Sequence, residues 1–358
     1  MAPPVVVDPQ GFTKAGDVYA CVHATLTTGI TALTTVLAGC GGSAGSDNAG
    51  RKWTNDYDPV AWDTVDGLGD LALACGQMHD LLHFTGANHD NANSQSVPAP
   101  NPNDKVFPPG SLSVYQPAEP PAAFGGSDPE PSGWSWVKGA VEGELWPNGH
   151  PDVLRRAAEA WRAMSRALHA ATFQLPTARA LIDAQQSPET PQALEQADIV
   201  RTQFDSLASA CDELAKSCDS YADSISNTKH AIVRALIELL AIVAVDQAFG
   251  WIAAPFTGGG SAAAAQGGMA LAIGIYGARI AAIIRVLIGL AEVARVPVAV
   301  SQVIARGSEA LIPLLRARPA LAGVDGVVAP GPFTTFANLR RPHLTTDTRD
   351  AIEKSTRK

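Results

Sequence analysis

Two histidines stand where metal chemistry would need them. His79 and His83 lie one helical turn apart with Asp80 between them, which resembles the two-histidine helix motif of zinc hydrolases. Asp takes the place of the Glu that acts as the base in that motif, and only His89 and Asp90 lie near in sequence to add a ligand. The alternative is a pair of histidines at the edge of a packed helix face. We expect the second arrangement, and no metal.

A second stretch matches a nucleophile pattern. Gly41-Gly42-Ser43-Ala44-Gly45 has the Gly-X-Ser-X-Gly spacing of hydrolase nucleophile elbows, but such an elbow works only on a sharp strand-to-helix turn. Here the stretch falls between two predicted helices. Gly258 to Gly260 lacks the Lys and Ser or Thr of a phosphate-binding loop. We therefore expect no catalytic residue, no cofactor and no enzyme activity.

The dominant pattern is a spacing of three and four between small or apolar residues, which keeps one helix face against a partner over many turns. Four such seams run from Phe12 to Cys40, Ala61 to Leu82, Leu154 to Leu175 and Ala197 to Ile242. They predict four long helices in two consecutive hairpins. The Pro-containing stretch 186–191 marks the turn of the second hairpin.

Composition limits the partners. The chain has 358 residues, a net charge of -9 and a pI near 5.3, which argues against nucleic-acid binding because phosphate contacts need surplus Lys and Arg. Four of its five cysteines fall on the seams, where the thiol acts as a small apolar group. A bridge between Cys40 and Cys75 stays open, whereas Cys211 and Cys218 lie about 10 Å apart along one helix and cannot bridge.

These features divide the chain into five segments. We predict an all-α protein with a first helical hairpin at 1–95, a Pro-rich linker or surface strap at 96–149 and a second hairpin at 150–247. A hydrophobic helical segment follows at 248–330, and a basic linker or tail at 331–358. The two tandem hairpins are expected to form an elongated four-helix bundle, followed by the hydrophobic helices.

Residues 232–310 allow two interpretations. They are rich in apolar residues but interrupted by Pro255 and several glycines, so they predict either buried or partner-binding helices or a membrane-inserting segment. The N-terminus has no basic region followed by an apolar stretch, so we expect no cleaved signal peptide.

Particular sequence motifs resemble those of a known family. Trp53 and Tyr57 follow the first hairpin turn, and Trp146-Pro147-Asn148-Gly149 opens the helix that contains Trp161. This combination is similar to Trp-X-Gly-like domains of type VII secretion substrates, in particular the N-terminal domains of actinobacterial polymorphic toxins. The resemblance implies secretion or cell-surface display through a type VII machine, together with small helical-hairpin partner proteins. It also implies a toxin domain after such a segment.

The export signal of that family has the form Tyr-X-X-X-Asp/Glu, and its candidate here is Tyr115 with Glu119, with Pro117 between them. Trp161 is expected in the core, and Trp146 is expected to pack the incoming chain onto the bundle. The sequence thus predicts a non-enzymatic delivery domain of a secreted toxin. The alternative is a pore-forming or membrane-inserting domain built on residues 232–310.

Overall fold

The computed structural model describes residues 6–96, 106–253 and 260–318, without the side chains of 244–253 and 260–268. In these ranges the chain is all-α, as predicted, and its only β-type pairings are isolated bridges between Val6 and Gln186 and between Gly45 and Gly125. The helices are α1 (Pro9–Ala38), α2 (Asn48–Gln95), α3 (Trp134–Val137), α4 (Pro151–Thr172), α5 (Leu175–Asp183), α6 (Thr190–Ala253), α7 (Gly260–Val293) and α8 (Val298–Arg316).

The first two helices begin at aspartate caps. The carboxylate of Asp8 accepts a hydrogen bond from the Gln10 amide at 3.1 Å, and Pro9 occupies the first turn, where its missing N–H has no partner to lose. Asp47 accepts from the amides of Ala49 and Gly50 at 2.9 and 3.1 Å. Local sequence therefore sets where both helices of the first hairpin start.

The core of the bundle consists of the predicted seams. α1 packs on α2, α4 and α5 pack on α6, and the two pairs join through α1–α4 and α2–α6 contacts. Every seam residue from Leu154 to Leu175 is buried, and so is every one from Ala61 to Leu82. At the rim of the second hairpin, Arg155 of α4 pairs with Asp223 of α6 at 2.9 Å. The hydrophobic pattern of these two seams therefore specifies which face of each helix is buried.

Two details of the predicted seams are wrong. Ile242 is 45% exposed and its neighbour Val243 is 3% exposed, because this part of α6 lies beyond the N-terminal end of α4 and packs against a different partner, α7. The predicted helix from Leu154 to Leu175 is interrupted at Phe173 and Gln174, where α4 ends and α5 begins. Pro176 explains this break, since it has no N–H to continue the ladder.

An extended segment, residues 106–126 (hereafter the strap), runs along α2 in the opposite direction. The strap falls within the region 96–149 predicted as a Pro-rich linker or surface strap, of which residues 97–105 lie outside the described part. Polar side chains of α2 fasten it at four points: Asn91 to Val106, Asp80 to Leu112, Trp62 to Pro120 and Asp58 to Ala123. The approach is close at Gly76, where a Cβ would lie 2.4 Å from the Leu112 carbonyl oxygen.

The hydrophobic segment forms α7 and α8, and α6 itself continues to Ala253, beyond the predicted end of the second hairpin at 247. We call α6 after Lys229 together with α7 up to Arg285 the distal hairpin. It has a separate apolar cluster that includes Trp134, Ile232, Leu239 and Ile280. α8 returns along α2 and α6 and buries Ile304, Leu311 and Leu314. Residues 319–330 and the predicted basic tail 331–358 lie outside the described residues.

Candidate functional site

The predicted family-motif residues converge where the α1–α2 turn meets the start of α4. Trp53 of α2 lies between two aromatic rings, with Tyr57 stacked at a centroid distance of 4.3 Å and Tyr221 of α6 at 4.8 Å. Trp161 of α4 joins them, because its Nε1 donates to the Tyr57 hydroxyl at 2.9 Å. We call these four residues the aromatic cluster.

Each polar atom of the aromatic cluster connects a different part of the chain. Trp53 Nε1 donates to Ser217 Oγ at 3.0 Å, and that hydroxyl donates to the carbonyl of Ala294 at 2.6 Å, between α7 and α8. The Tyr221 hydroxyl donates to the carbonyl of Ala44 in the α1–α2 turn at 3.1 Å. Buried N–H and O–H groups need such partners, so the cluster fixes three helices and two turns relative to one another.

The 146–149 segment closes the same end of the bundle. Asn148 accepts from the Ser46 amide at 2.8 Å and donates to the Ser46 hydroxyl and to the carbonyl of Gly126. The carbonyl of Gly149 accepts from Lys229 at 2.6 Å. A Cβ at position 149 would lie 2.7 Å from the carbonyl oxygen of Ala44, so glycine allows this close packing. Pro147 lies between Trp146 and Asn148 in the sequence and connects Trp146 to this turn.

Trp146 and Trp161 have different surroundings. Trp161 is fully buried in the bundle core, and Trp146 packs edge-on against Trp134 at 5.8 Å in the distal cluster. The ammonium of Lys229 lies 5.7 Å from the Trp146 ring centroid, in cation–π range. Trp161 thus lies in the bundle core, whereas Trp146, expected to pack the chain onto the bundle, packs in the distal cluster.

Tyr115 and Glu119 lie on the non-helical strap. Glu119 is exposed, whereas Tyr115 is half-buried against α1, with its hydroxyl 3.4 Å from both the Thr27 carbonyl and the Thr31 hydroxyl. The aromatic ring also stands edge-on to His23 at 6.5 Å. The structure thus holds the tyrosine of the candidate signal against the bundle.

The histidines of the zinc-like motif lie deeper than a seam edge, with His79 5% and His83 8% exposed. His79 Nδ1 lies 2.8 Å from Asp80 Oδ1, and His83 Nε2 lies 3.1 Å from Asp17. Burial raises the pKa of Asp80, but hydrogen bonds from His79, Ser111 and the Leu112 amide outweigh it and hold the pKa below its usual range. No three metal-ligating side chains converge in the described ranges. This motif serves to fasten the strap.

The other candidate nucleophiles, Ser43 and the cysteine thiols, also occupy structural positions. Ser43 is buried in a helix-to-helix turn, without the preceding strand of a nucleophile elbow. All five thiols are free, so the Cys40–Cys75 bridge does not form. Burial raises the pKa of Cys218 to about 12, which keeps this thiol protonated and unreactive.

Comparison with known proteins supplies the family context. The WXG100 like domain family matches residues 126–275. Residues 126–275 form a WXG100-like domain. This domain contains α3, the 146–149 segment, α4, α5 and α6, and its match ends within α7. The first hairpin and most of the strap precede it.

The chain that carries this WXG100-like domain is also similar to longer mycobacterial proteins. It is 34% identical over 187 residues to the outer membrane channel protein CpnT of Mycobacterium tuberculosis and, equally, of Mycobacterium bovis. It is 31% identical over 195 residues to Mav, the candidate NAD(+)–arginine ADP-ribosyltransferase of Mycobacterium avium. Each match covers 52% of this chain and 22% of the relative, so the chain spans about a fifth of these proteins. No solved structure matches.

Sequence reasoning missed several residues that join separate parts of the chain. Ser217 links Trp53 to the α7–α8 turn, and Asp58 and His23 face the strap. Ser217 precedes the seam residue Cys218, and Asp58 follows the motif residue Tyr57. These neighbouring positions were the available sequence signal for their roles. Nothing in the sequence gives the location of the strap, so their partners were not predictable.

Proposed function

We propose that this chain is the delivery part of a type VII secreted toxin, recognised and exported as a folded helical bundle. The observation that carries the proposal is the WXG100-like domain, whose α4, α5 and α6 pack on a first hairpin from the same chain. The similarity to CpnT, named a channel protein, supports a secreted or cell-surface location. Tyr115 and Glu119 are the proposed export signal.

The partner surface in this proposal is the exposed face of α7. Its apolar side chains lie on one side of the helix at intervals of three, four or seven residues, although α7 is otherwise packed against α6; they are Leu271, Ile275, Ala282, Val286, Leu290 and Val293. Contiguous exposed apolar surface of this kind marks interaction sites. A small helical-hairpin protein would lay its own apolar face along this row.

We also propose that the chain itself is not an enzyme. The histidine motif serves the strap, Ser43 is buried in a turn, and Cys218 is a protonated core thiol. The ADP-ribosyltransferase name belongs to Mav, of which the match covers only 22%. In this proposal a toxin activity would reside in a part of such proteins that this chain does not match.

Coexpression with small helical-hairpin secretion partners, followed by size-exclusion chromatography with light scattering, tests the proposal. We expect a stoichiometric complex that the double substitution Ile275→Ser and Val286→Ser abolishes. The control is Phe173→Ser, which removes an even more exposed apolar side chain at the α4–α5 break. A complex that survives the double substitution would place the partner elsewhere, and no complex with any hairpin partner would contradict delivery by this route.

A membrane-inserting function is the second candidate, and a specific observation favours it. Within the described residues, two stretches are long and apolar enough to cross a bilayer, Pro9–Ala38 and Met269–Arg316. The first packs in the bundle core, whereas the second carries the exposed apolar row of α7, with Leu271, Ile275 and Val286. Cosedimentation of the purified chain with liposomes discriminates: stable insertion favours the channel, and a chain that remains in the supernatant favours delivery.

A further inference from the structure

The contact between His23 and Tyr115 joins α1 to the strap. The imidazole is half-buried, and its Nε2 is inaccessible to solvent and has no hydrogen-bond partner in the structure. The Tyr115 ring stands edge-on to it at 6.5 Å. A neutral imidazole fits this position at small cost, but a charged one would add a second N–H donor with no acceptor within reach.

The groups that face His23 come from α2 and from the strap. They are His79 and Asp80 on α2, and Tyr115 on the strap. Asp80 attracts an imidazolium, but its two oxygens already accept from His79, Ser111, Ser113 and the amide of Leu112. Burial, together with His79, lowers the pKa of His23 against this attraction. Protonation of His23 therefore opposes the closed position of the strap.

We propose that His23 makes the attachment of strap residues 111–115 sensitive to acid, so that protonation of its ring loosens Tyr115 from α1. The sign follows from linkage. An exposed histidine takes up a proton below about pH 6.5, whereas His23 under the closed strap resists protonation. The population of the open strap therefore rises relative to that of the closed strap as the pH falls. At pH 5.5 this shifts the closed-to-open ratio by up to about tenfold.

His83 is a natural comparison in the same cluster. Its ring lies 4.4 Å from that of His79, centroid to centroid, but its Nε2 faces the carboxylate of Asp17 at 3.1 Å. That carboxylate, 65% exposed, can accept from the protonated ring. We therefore assign the loosening of the strap in acid to His23, whose Nε2 has no acceptor among the described residues, and not to His83. The further consequence, that acid gives partners access to Tyr115, rests on the proposed export signal.

Hydrogen exchange of the whole chain at pH 7.5 and 5.5, with rates corrected for intrinsic exchange, tests the inference. We expect protection of amides 111–115 to fall by up to about tenfold at pH 5.5. The amide of Val106, which the non-titrating side chain of Asn91 holds, should change by less than twofold. His23→Phe keeps a flat ring against Tyr115 without a charge and should abolish the fall.

Two further variants keep the test decisive. His83→Gln should retain the wild-type response, and Gly76→Ala should lower protection of 111–115 at both pH values because its Cβ meets the Leu112 carbonyl. Equal protection at both pH values in the wild type would overturn the inference, and so would a fall that persists in His23→Phe or extends to the whole bundle. None of these outcomes depends on partner binding, so failure here and failure of the delivery function are separable.

Discussion

Among single residues, Trp53 has the largest structural role in the described part of the chain. It is completely buried, stacks on two tyrosines and donates to Ser217, which in turn reaches the α7–α8 turn. We expect Trp53→Ala to lower the free energy of unfolding by about 3–5 kcal/mol, the usual range for a large aromatic removed from a packed core. Urea denaturation followed by circular dichroism measures this.

Trp136 is the control for that substitution. It is 43% exposed on the short helix α3, so Trp136→Ala should change stability by no more than about 0.5 kcal/mol. Equal losses for the two tryptophans would mean that the stacking and hydrogen bonds of Trp53 add nothing beyond general surface packing.

Asp58 is the residue whose ionisation should be visible in the stability of the protein. Burial raises its pKa to about 6, although the amides of Ala123 and Phe124 lower it. A raised carboxyl pKa means that the folded state holds the proton more tightly, so this contribution is present below about pH 4 and is lost as the pH rises through about 6. Asp58→Asn should remove that loss.

Comparison of Asp58→Asn with the wild type isolates the effect. Between pH 4 and pH 7.5 the unfolding free energy of the variant should rise relative to that of the wild type by about 3 kcal/mol. This follows from the rise of about two units in the pKa of the Asp58 carboxyl group. Denaturant titrations at several pH values provide the measurement, and Asp56→Asn, at a half-exposed site on the same helix, is the matched control. A pH-independent difference would show that the buried carboxylate is fully compensated by its amide donors.

For the helices and the strap, the sequence was informative only where the pattern is periodic. The seams from Ala61 to Leu82 and from Leu154 to Leu175 were predictable because a 3.6-residue period is a local property. The break at Phe173 depends on one proline and was missed. The role of Asp80 depends on the strap, whose Leu112 amide comes from some thirty residues away, and no local pattern encodes that contact.

α8 illustrates the same limit and allows a test. It was predicted as hydrophobic, but its seat against α2 and α6 depends on small residues, such as Gly67, that lie on a different helix. Leu311→Ala removes a fully buried side chain, and we expect a loss of about 2–5 kcal/mol in the docking of α8. Hydrogen exchange of residues 298–316 should accelerate while α1 stays protected.

Val303→Ala, on the exposed side of the same helix, provides the reference for α8. It should leave exchange of residues 298–316 near the wild-type rate. Faster exchange of α1 in Leu311→Ala would instead show that α8 belongs to the cooperative core of the bundle.

Across the whole molecule, the two apolar clusters share one helix. α6 is 64 residues long and spans about 96 Å at 1.5 Å per residue; one stretch packs in the bundle core and the next packs in the distal hairpin. The aromatic cluster and the 146–149 segment lie at the junction, where Lys229 contacts Gly149 and Trp146. A partner bound to α7 could therefore be coupled to the bundle through α6 and this junction.

The distal hairpin should open before the bundle unfolds. Its cluster is much smaller than that of the bundle and leaves Leu271 and Ile275 exposed, and regions with few buried apolar contacts open at lower free energy. Ile280→Ala removes a fully buried side chain there. Native-state hydrogen exchange should then show faster exchange in residues 229–243 and 269–284, with α1 unchanged. Leu214→Ala, in the bundle core, should accelerate exchange in both regions; acceleration of α1 by Ile280→Ala would mean that both clusters unfold as one unit.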